Sequence, residues 1–276
     1  MTLDSTTRIV LTGAPGGLGS HLVAALAPLH PRLLLVSSPG FNLDTACGVA
    51  RAAGAEVHGL VADLRTDAGI AATVAEAEQK LGGIDILINN AGIEYTCLFH
   101  ELSEQQMLDV MLVNLFAAMR LTQRFLPSML AQKRGRIINM GSLAGRTPPA
   151  CQEPYAASKA GLVAFTSSLR ASYKGTGVSA NVLCPGFVEA GIYKRLRDQT
   201  GYSAPATFGT STPEAVCKAL LRVIETDAPE VIVNSLPMRP LLMIQQAFPR
   251  LYELIVHATG GHAFFQKIAV KLKELG

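Results

Sequence analysis

Tyr155 and Lys159, four residues apart in "YAASK", are the pair in this chain best suited to moving a proton. Helical spacing puts both on one face. A free phenol titrates at about 10, too high to exchange protons readily near neutrality, and a neighbouring ammonium favours the phenolate and lowers that value. A phenol tuned in this way can give a proton to a carbonyl oxygen or take one from an alcohol. Ser142 stands thirteen residues before Tyr155, just after an apolar run, where its hydroxyl can hydrogen-bond the same oxygen. Taken alone, a Y-x-x-x-K pair is more often a helix start after a proline with a solvated neighbour. It needs supporting features elsewhere in the chain.

The first is "TGAPGGLG", residues 12–19, which follows an apolar run and opens a helical stretch. Glycines let a backbone approach a pyrophosphate closely, and the free N–H groups of a helix start favour its negative charge. The spacing is T-G-x-x-x-G-x-G (Gly13, Gly17, Gly19) and not G-x-G-x-x-G, so a structural turn with no ligand stays open on this motif alone.

The elements that must hold these groups alternate along the chain. Strand-like runs rich in Val, Ile and Leu occupy 8–13, 32–37, 56–64, 84–92, 135–142, 178–186 and 229–234. Helical stretches lie between them, near 18–27, 43–53, 67–81, 103–133 and 154–173 and from Pro213 onward. Seven such strands separated by helices predict a single α/β domain, a Rossmann-type doubly wound parallel sheet with helices on both faces. No repeat or linker breaks the series. The expected organisation is a dinucleotide-binding catalytic domain over 1–235 and a helical C-terminal extension over 236–276.

Together these features resemble the short-chain dehydrogenase/reductase family, with matching motifs in order from about residue 8 to 186. "ADL" places Asp63 where the family contacts adenine. "NNAG" (Asn89–Gly92) is similar to the motif supporting the sheet beside the cofactor. Asn114 in "VNLFAA" completes a catalytic set with Ser142, Tyr155 and Lys159, and "PG" at Pro185–Gly186 is similar to the turn facing the nicotinamide. The resemblance implies cofactor contacts from Thr12, Gly13, Gly16, Gly17, Leu18, Gly19, Ser37, Ser38, Asp63, Leu64, Asn90, Ala91, Gly92, Pro185, Gly186 and Val188, as well as from Tyr155 and Lys159. It also implies that Lys159 holds the nicotinamide ribose and that Asn114 positions a water relaying the proton.

Three positions depart from the family pattern. Ala190 stands where a threonine often binds the carboxamide, leaving that contact to backbone such as Val188. Gly16 stands where NADP-preferring relatives often carry a basic residue. Ser37 stands where NAD-preferring relatives carry the acid that grips the ribose. Without that carboxylate nothing repels a 2′-phosphate, and Ser37 and Ser38 can donate to its oxygens. The expected cofactor is therefore NADP(H), with NAD(H) not excluded.

The totals narrow the classes further. A formal net charge of +3 with scattered basic residues and no Trp does not suggest nucleic acid. Five cysteines without a C-x-x-C pair argue for a reducing cytosol and against a disulfide framework, and no ligand cluster suggests a metal. Residues 9–29 could pass for a signal peptide, but four glycines and a proline at their centre favour a strand, a turn and a helix. The histidines read as surface or packing residues, with His30 in a turn, and Met107, Met111 and Met119 read as core.

The extension carries apolar residues around Pro240 and Pro249, where two short helices are expected, then a helix with Phe264, Phe265, Ile268 and Leu272 on one face and Lys267, Lys271 and Lys273 opposite or flanking. Such a helix can pack on its own domain, close the site's mouth, form a subunit contact or lie on a membrane. With Phe187, Ile192, Tyr193, Tyr202 and Phe208 it predicts a bulky lipophilic small-molecule substrate. The expected activity is NAD(P)(H)-dependent interconversion of a ketone and a secondary alcohol. The alternative is a non-catalytic dinucleotide-binding sensor or docking protein. Family resemblance implies a homodimer or homotetramer through 103–133 and 154–173, with peripheral membrane contact through the extension left open.

Overall fold

The computed structural model describes residues 1–275. Seven parallel strands form one sheet: β1 (Arg8–Thr12), β2 (Arg32–Ser37), β3 (Glu56–Val61), β4 (Ile86–Asn89), β5 (Gly135–Met140), β6 (Val178–Pro185) and, after two minor strands, β9 (Glu230–Val233). Their order is β3-β2-β1-β4-β5-β6-β9, with Val10 opposite Leu34 on one side and Leu87 on the other. Every residue of β4 and β5 is buried, as expected where helices cover both faces. The order reverses between β1 and β4, so their carboxyl ends open a crevice where α/β sheets bind ligands.

The helices are α1 (Gly17–Leu26), α2 (Asp44–Ala52), α3 (Asp67–Leu81), α4 (Glu104–Met111), α5 (Ala117–Ala131), α6 (Glu153–Ser172), α7 (Gly191–Thr200) and α8 (Pro213–Thr226). Two apolar cores flank the sheet. Leu22, Val23 and Leu26 of α1 pack with Val216, Leu220 and Ile224 of α8 on one face, and Leu121, Phe125 and Met129 of α5 pack with Ile70 and Leu81 of α3 on the other.

The structure corrects several sequence expectations. The long helix over 103–133 is two helices joined by a π-helical turn, Leu112–Phe116, centred on Asn114; π-turns widen the backbone spiral and often mark functional positions. The strand expected over 56–64 ends at Val61, because the Asp63 carbonyl accepts from both the amide and hydroxyl of Thr66 and bends the chain into α3. The strand over 84–92 shortens to Ile86–Asn89 because Asn90 turns back toward β1. Met107, Met111 and Met119 are only half-buried, and Leu108 and Phe116 are exposed beside them, so α4 and the start of α5 present an apolar outer face instead of core.

The long connection after β6 holds α7 and the minor strands β7 (Phe187–Val188) and β8 (Thr210–Ser211), which pair with each other. The extension folds as α9 (Arg239–Ala247), α10 (Pro249–Ala258) and α11 (Gly261–Leu275), the first two with proline in the first turn. Phe264, Phe265 and Ile268 of α11 are buried against Leu196 of α7. Phe187 ties the two together, with ring centroids 5.0 Å from Tyr193, 6.2 Å from Phe208 and 5.9 Å from both Phe264 and Phe265. Among the described residues no helix is long and apolar enough to cross a membrane.

Candidate active site

The crevice above β1 and β4 continues into one cavity of about 590 Å³ that runs from the glycine turn to the extension. At its phosphate end the turn is sterically closed to side chains. A Cβ on Gly13, whose φ is +67°, would come within 2.8 Å of the Ala91 backbone, one on Gly19 within 2.0 Å of the Gly13 carbonyl, and one on Gly17 within 2.2 Å of the Gly191 nitrogen. Gly16 caps α1, and Gly17, Leu18 and Gly19 line the cavity with first-turn N–H groups that the helix leaves unpaired. This cradle, open to the cavity and too tight for a Cβ, fits a pyrophosphate.

Thr12 plays a different part from the expected one. It is buried, off the cavity wall, and its hydroxyl accepts from the amides of Asn90 and Ala91 at 3.0 Å. Asn90 Nδ2 in turn donates to the carbonyls of Thr12 and Gly13 at 3.0 and 3.1 Å. These two residues lock the ends of β1 and β4 together beneath the turn. Asn89 extends the brace sideways, donating to Asn139, which donates to Thr166 on α6.

The adenosine end is lined by Ser37, Ser38, Phe41, Asp63, Leu64 and Arg65. The expectation that both serines can donate to a phosphate needs correcting. Ser37 is buried, and its Oγ donates within its own turn to the carbonyls of Ser38 and Phe41, 3.1 Å each. Ser38 is exposed and is the serine able to meet a ligand. Asp63 is gripped through both carboxylate oxygens by Arg65, which holds its carboxyl below the usual range, and Arg65 also donates to Asp109 at 2.9 Å. The arginine on this wall is thus already committed.

The remaining groups meet at the carboxyl ends of β5 and β6. Ser142 caps a short 3₁₀ turn (Leu143–Gly145), accepting from the Ala144 amide at 3.1 Å, and lines the cavity together with Tyr155. Gly145 lets this turn sit against α6, where a Cβ would come within 2.6 Å of the Lys159 carbonyl carbon. Lys159 is buried and donates to the Met140 carbonyl at 2.8 Å, with Nζ 5.8 Å from the Tyr155 ring centroid. Burial pushes the Lys159 ammonium down to about 8. Burial also pushes the Tyr155 phenol up to about 12, with Ser142 pulling it back and Glu94 adding to the rise. In the protein alone burial dominates the Tyr155 phenol, and Lys159 is not among the groups that lower it.

Asn114 lies behind this pair, off the cavity wall. Its Oδ1 accepts from the Ile93 amide at 2.8 Å, and its Nδ2 donates to the Ile93 carbonyl and to Ser158 Oγ, 2.9 and 3.0 Å. Asn114 Oδ1 and Lys159 Nζ both border Gly92, at 3.4 and 3.5 Å from where its Cβ would be. Across the cavity stand Pro185, Gly186, Val188 and Ala190. The Gly186 amide donates to Val233, and a Cβ there would strike Asn234 at 2.6 Å.

The outer chamber is built from residues the motifs do not mark. Phe187, Ile192, Tyr193 and Phe208 line it as expected, whereas Tyr202 points elsewhere and is exposed. Its roof comes from the extension, through Leu241, Tyr252, Val256, Phe264, Phe265 and Ile268. His262 joins this wall, contrary to its reading as a surface or packing residue. Among the described residues no cluster of His, Cys, Asp and Glu could hold a metal ion.

The family model for short chain dehydrogenases matches residues 7–201. The chain is 37% identical over 274 residues to Ketoacyl reductase HetN of Nostoc sp., covering 98% of this chain and 94% of that protein, so the similarity includes the extension. It is 32% identical over 199 residues to the 3-oxoacyl-acyl-carrier-protein reductase FabG of Vibrio cholerae, covering 72% of this chain and 80% of that one. Among solved structures, a variant of actinorhodin polyketide ketoreductase crystallised with NADPH superposes with a TM-score of 0.76 at 28% identity, covering 84% of this chain and 97% of that chain. Motifs, sheet order and sequence similarity agree, and the chain belongs to the short-chain dehydrogenase family.

Proposed function

We propose that this chain is an NADPH-dependent ketoreductase acting on a bulky lipophilic substrate (acyl-chain, sterol-like or polycyclic), converting a ketone to a secondary alcohol and able to run in reverse. One observation carries the reading: Ser142, Tyr155 and Lys159 lie on the wall of a cavity whose far side is roofed by aliphatic and aromatic residues of the extension. The ketoacyl reductases among its relatives supply the same reaction class. The cofactor reading rests on the NADPH named for the actinorhodin relative, on the missing acid at Ser37, and on exposed Ser38. NADH remains a usable alternative.

The substrate oxygen would lodge between the hydroxyls of Ser142 and Tyr155. At about 12 the phenol is protonated near neutrality, which suits it to donate a proton to the oxygen as that atom gains charge. Lys159, fixed by the Met140 carbonyl, keeps further N–H groups for the nicotinamide ribose and a positive charge beside the emerging phenolate. The side chain of Asn114 is committed to Ile93 and Ser158, so a water relay there would use its main-chain carbonyl. When bound, the reduced nicotinamide supplies the hydride. The glycine turn, Ser38, Asp63, Leu64, Asn90–Gly92 and Pro185–Val188 would hold the rest of the cofactor, with Thr12 bracing from below.

On this reading residues 1–235 carry the chemistry and 236–276 the substrate chamber's roof. The half-exposed apolar face of α4 and α5 supports a homodimer or homotetramer. The extension's outer side exposes Met243 (71%), Phe248 (63%) and Leu254 (67%), and its five basic against two acidic residues account for the whole chain's net +3. Both features support peripheral contact of a cytoplasmic protein with an anionic membrane.

A panel of small and bulky ketones with NADPH and NADH tests the reaction, with Tyr155→Phe as control. Loss of about 10²–10⁴-fold in kcat with retained NADPH binding is expected for that variant; unchanged turnover would overturn the mechanism. Co-sedimentation with anionic and neutral vesicles tests the membrane reading, and binding to neither would end it.

A further inference from the structure

The titratable groups outside the catalytic set include one buried carboxylate that the mechanism above does not use. Glu94 follows the Asn89–Gly92 segment, and only 1% of its side chain is exposed. Its Oε1 accepts from the Thr96 hydroxyl and from Gln152 Nε2 at 3.0 Å, and Gln152 also donates to Thr96 Oγ1 at 2.7 Å. Its Oε2 accepts from Arg195 Nη2 at 3.0 Å, and the same nitrogen reaches the Glu94 carbonyl at 3.4 Å. Arg195 approaches from the surface, its side chain 49% exposed. Burying a carboxyl group is costly unless donors surround it; Thr96, Gln152 and Arg195 supply three, and burial still outweighs them and raises the Glu94 carboxyl above its usual range.

The donors come from three segments that build the chamber. Thr96 lies on the loop after β4. Gln152 caps α6, three residues before Tyr155. Arg195 lies on α7, whose Ile192, Tyr193 and Leu196 line the cavity and whose Leu196 packs beneath Phe264, Phe265 and Ile268 of the roof. A backbone hydrogen bond from the Cys97 amide to the Cys151 carbonyl, 3.1 Å, reinforces the join between the first two segments. The third is held to them by the Arg195 pair.

We propose that Glu94 is a positioning residue that latches α7 to the start of the catalytic helix through Arg195, and that this latch sets the shape of the chamber for bulky substrates. This rests on the reductase reading given above and deepens it. The latch holds the wall at a distance from the reacting oxygen, so its loss changes how well a large molecule is gripped. A small ketone, touching only the Ser142–Tyr155 end, is insensitive to it.

The test uses the full chain with Arg195→Ala, Arg195→Lys, Glu94→Gln and the Glu94→Gln/Arg195→Ala double variant. Each is assayed with a short-chain keto ester and a bicyclic ketone, and NADPH affinity is measured by fluorescence titration. Arg195→Ala is expected to raise KM for the bicyclic ketone by about tenfold, with kcat and the KM of the small ester within about twofold. Arg195→Lys restores most of the loss, and the double variant is no worse than the worse single one, as for residues acting on one contact. Equal losses for both ketones, or additive effects in the double variant, overturn the latch. Hydrogen–deuterium exchange of residues 191–200 provides an arm independent of turnover. Faster exchange there in Glu94→Gln and Arg195→Ala, with unchanged exchange in β1, supports the latch, and unchanged exchange in both variants overturns it. If the native chain reduces no ketone, this arm still decides the latch while the reductase reading fails separately.

Discussion

Gly17 of the phosphate turn and Gly191 at the start of α7 lie in direct backbone contact: a Cβ on the first would stand 2.2 Å from the nitrogen and 2.5 Å from the Cα of the second. The glycine turn and the start of α7 therefore meet where Gly17 has no room for a side chain, whereas a Cβ on Gly191 would meet only the Leu18 nitrogen, at 3.7 Å. Gly191 itself has a φ of +59°, a conformation open to glycine at little cost.

Gly17→Ala is expected to displace one of these backbones, since the atoms in the way are main-chain atoms of Gly191 and not the end of a flexible side chain. NADPH affinity should fall by at least about tenfold, and the KM for a bulky ketone should rise with it, because small shifts at a binding site are amplified in rate and affinity. Isothermal titration with NADPH checks the first effect. Native affinity in this variant would show that the contact is looser than described.

Lys159→Met should abolish reduction yet stabilise the protein near neutrality. The folded-state value of about 8 lies below the ordinary 10.5, so the buried ammonium costs stability below pH 8. Between about 8 and 10.5 the unfolded chain holds the proton that the folded chain has lost, and stability on this group's account rises with pH. Offset by the lost bond to Met140, the gain at pH 7 is about 1–2 kcal/mol, or roughly 2–4 °C in Tm for a chain of this size. The advantage of the variant should shrink as pH approaches 10.5. A Tm series from pH 7 to 10 on the native and variant proteins reads it.

Ser38→Asp is expected to act on NADPH selectively. A carboxylate at this exposed position would repel a 2′-phosphate, lowering NADPH affinity by about tenfold or more while leaving NADH within about threefold. Equal loss for both cofactors in Ser38→Asp would place the phosphate elsewhere.

Phe187→Ala removes the ring that touches Tyr193, Phe208, Phe264 and Phe265. A cost of about 2 kcal/mol is expected for this half-buried site, concentrated in the extension. Limited proteolysis should find new cleavage between residues 235 and 261 while the 1–235 portion stays resistant. An unaltered digestion pattern would mean that α11 holds its place without this ring.

Where a residue's role follows from its own type and near neighbours, the sequence was informative. "TGAPGGLG" after an apolar run and "YAASK" on a helix pointed to residues that the structure places along one cavity, and the alternation of Val-, Ile- and Leu-rich runs pointed to the seven-stranded parallel sheet, though not to its order. What stayed hidden depends on partners far along the chain. The Ser37 hydroxyl is consumed by a turn, Arg65 is claimed by Asp109 44 residues away, and Arg195 meets Glu94 across 101 residues. Neither periodicity nor local spacing encodes such meetings. The π-turn at Asn114 was equally invisible, since Leu112–Phe116 has ordinary helical composition. Met107, Met111 and Met119 misled because an apolar stripe left half-exposed on a helix reads the same in sequence as one facing a core.

The roof is added after β9, beyond the last strand of the sheet. It is therefore the one wall of the chamber that can be lengthened, shortened or exchanged without rethreading the strands or disturbing the proton-transfer groups. On the proposed reading, chemistry and clientele are separable inheritances: a graft of a different tail downstream of Asn234 would be expected to change which molecules are admitted while leaving unchanged what is done to them.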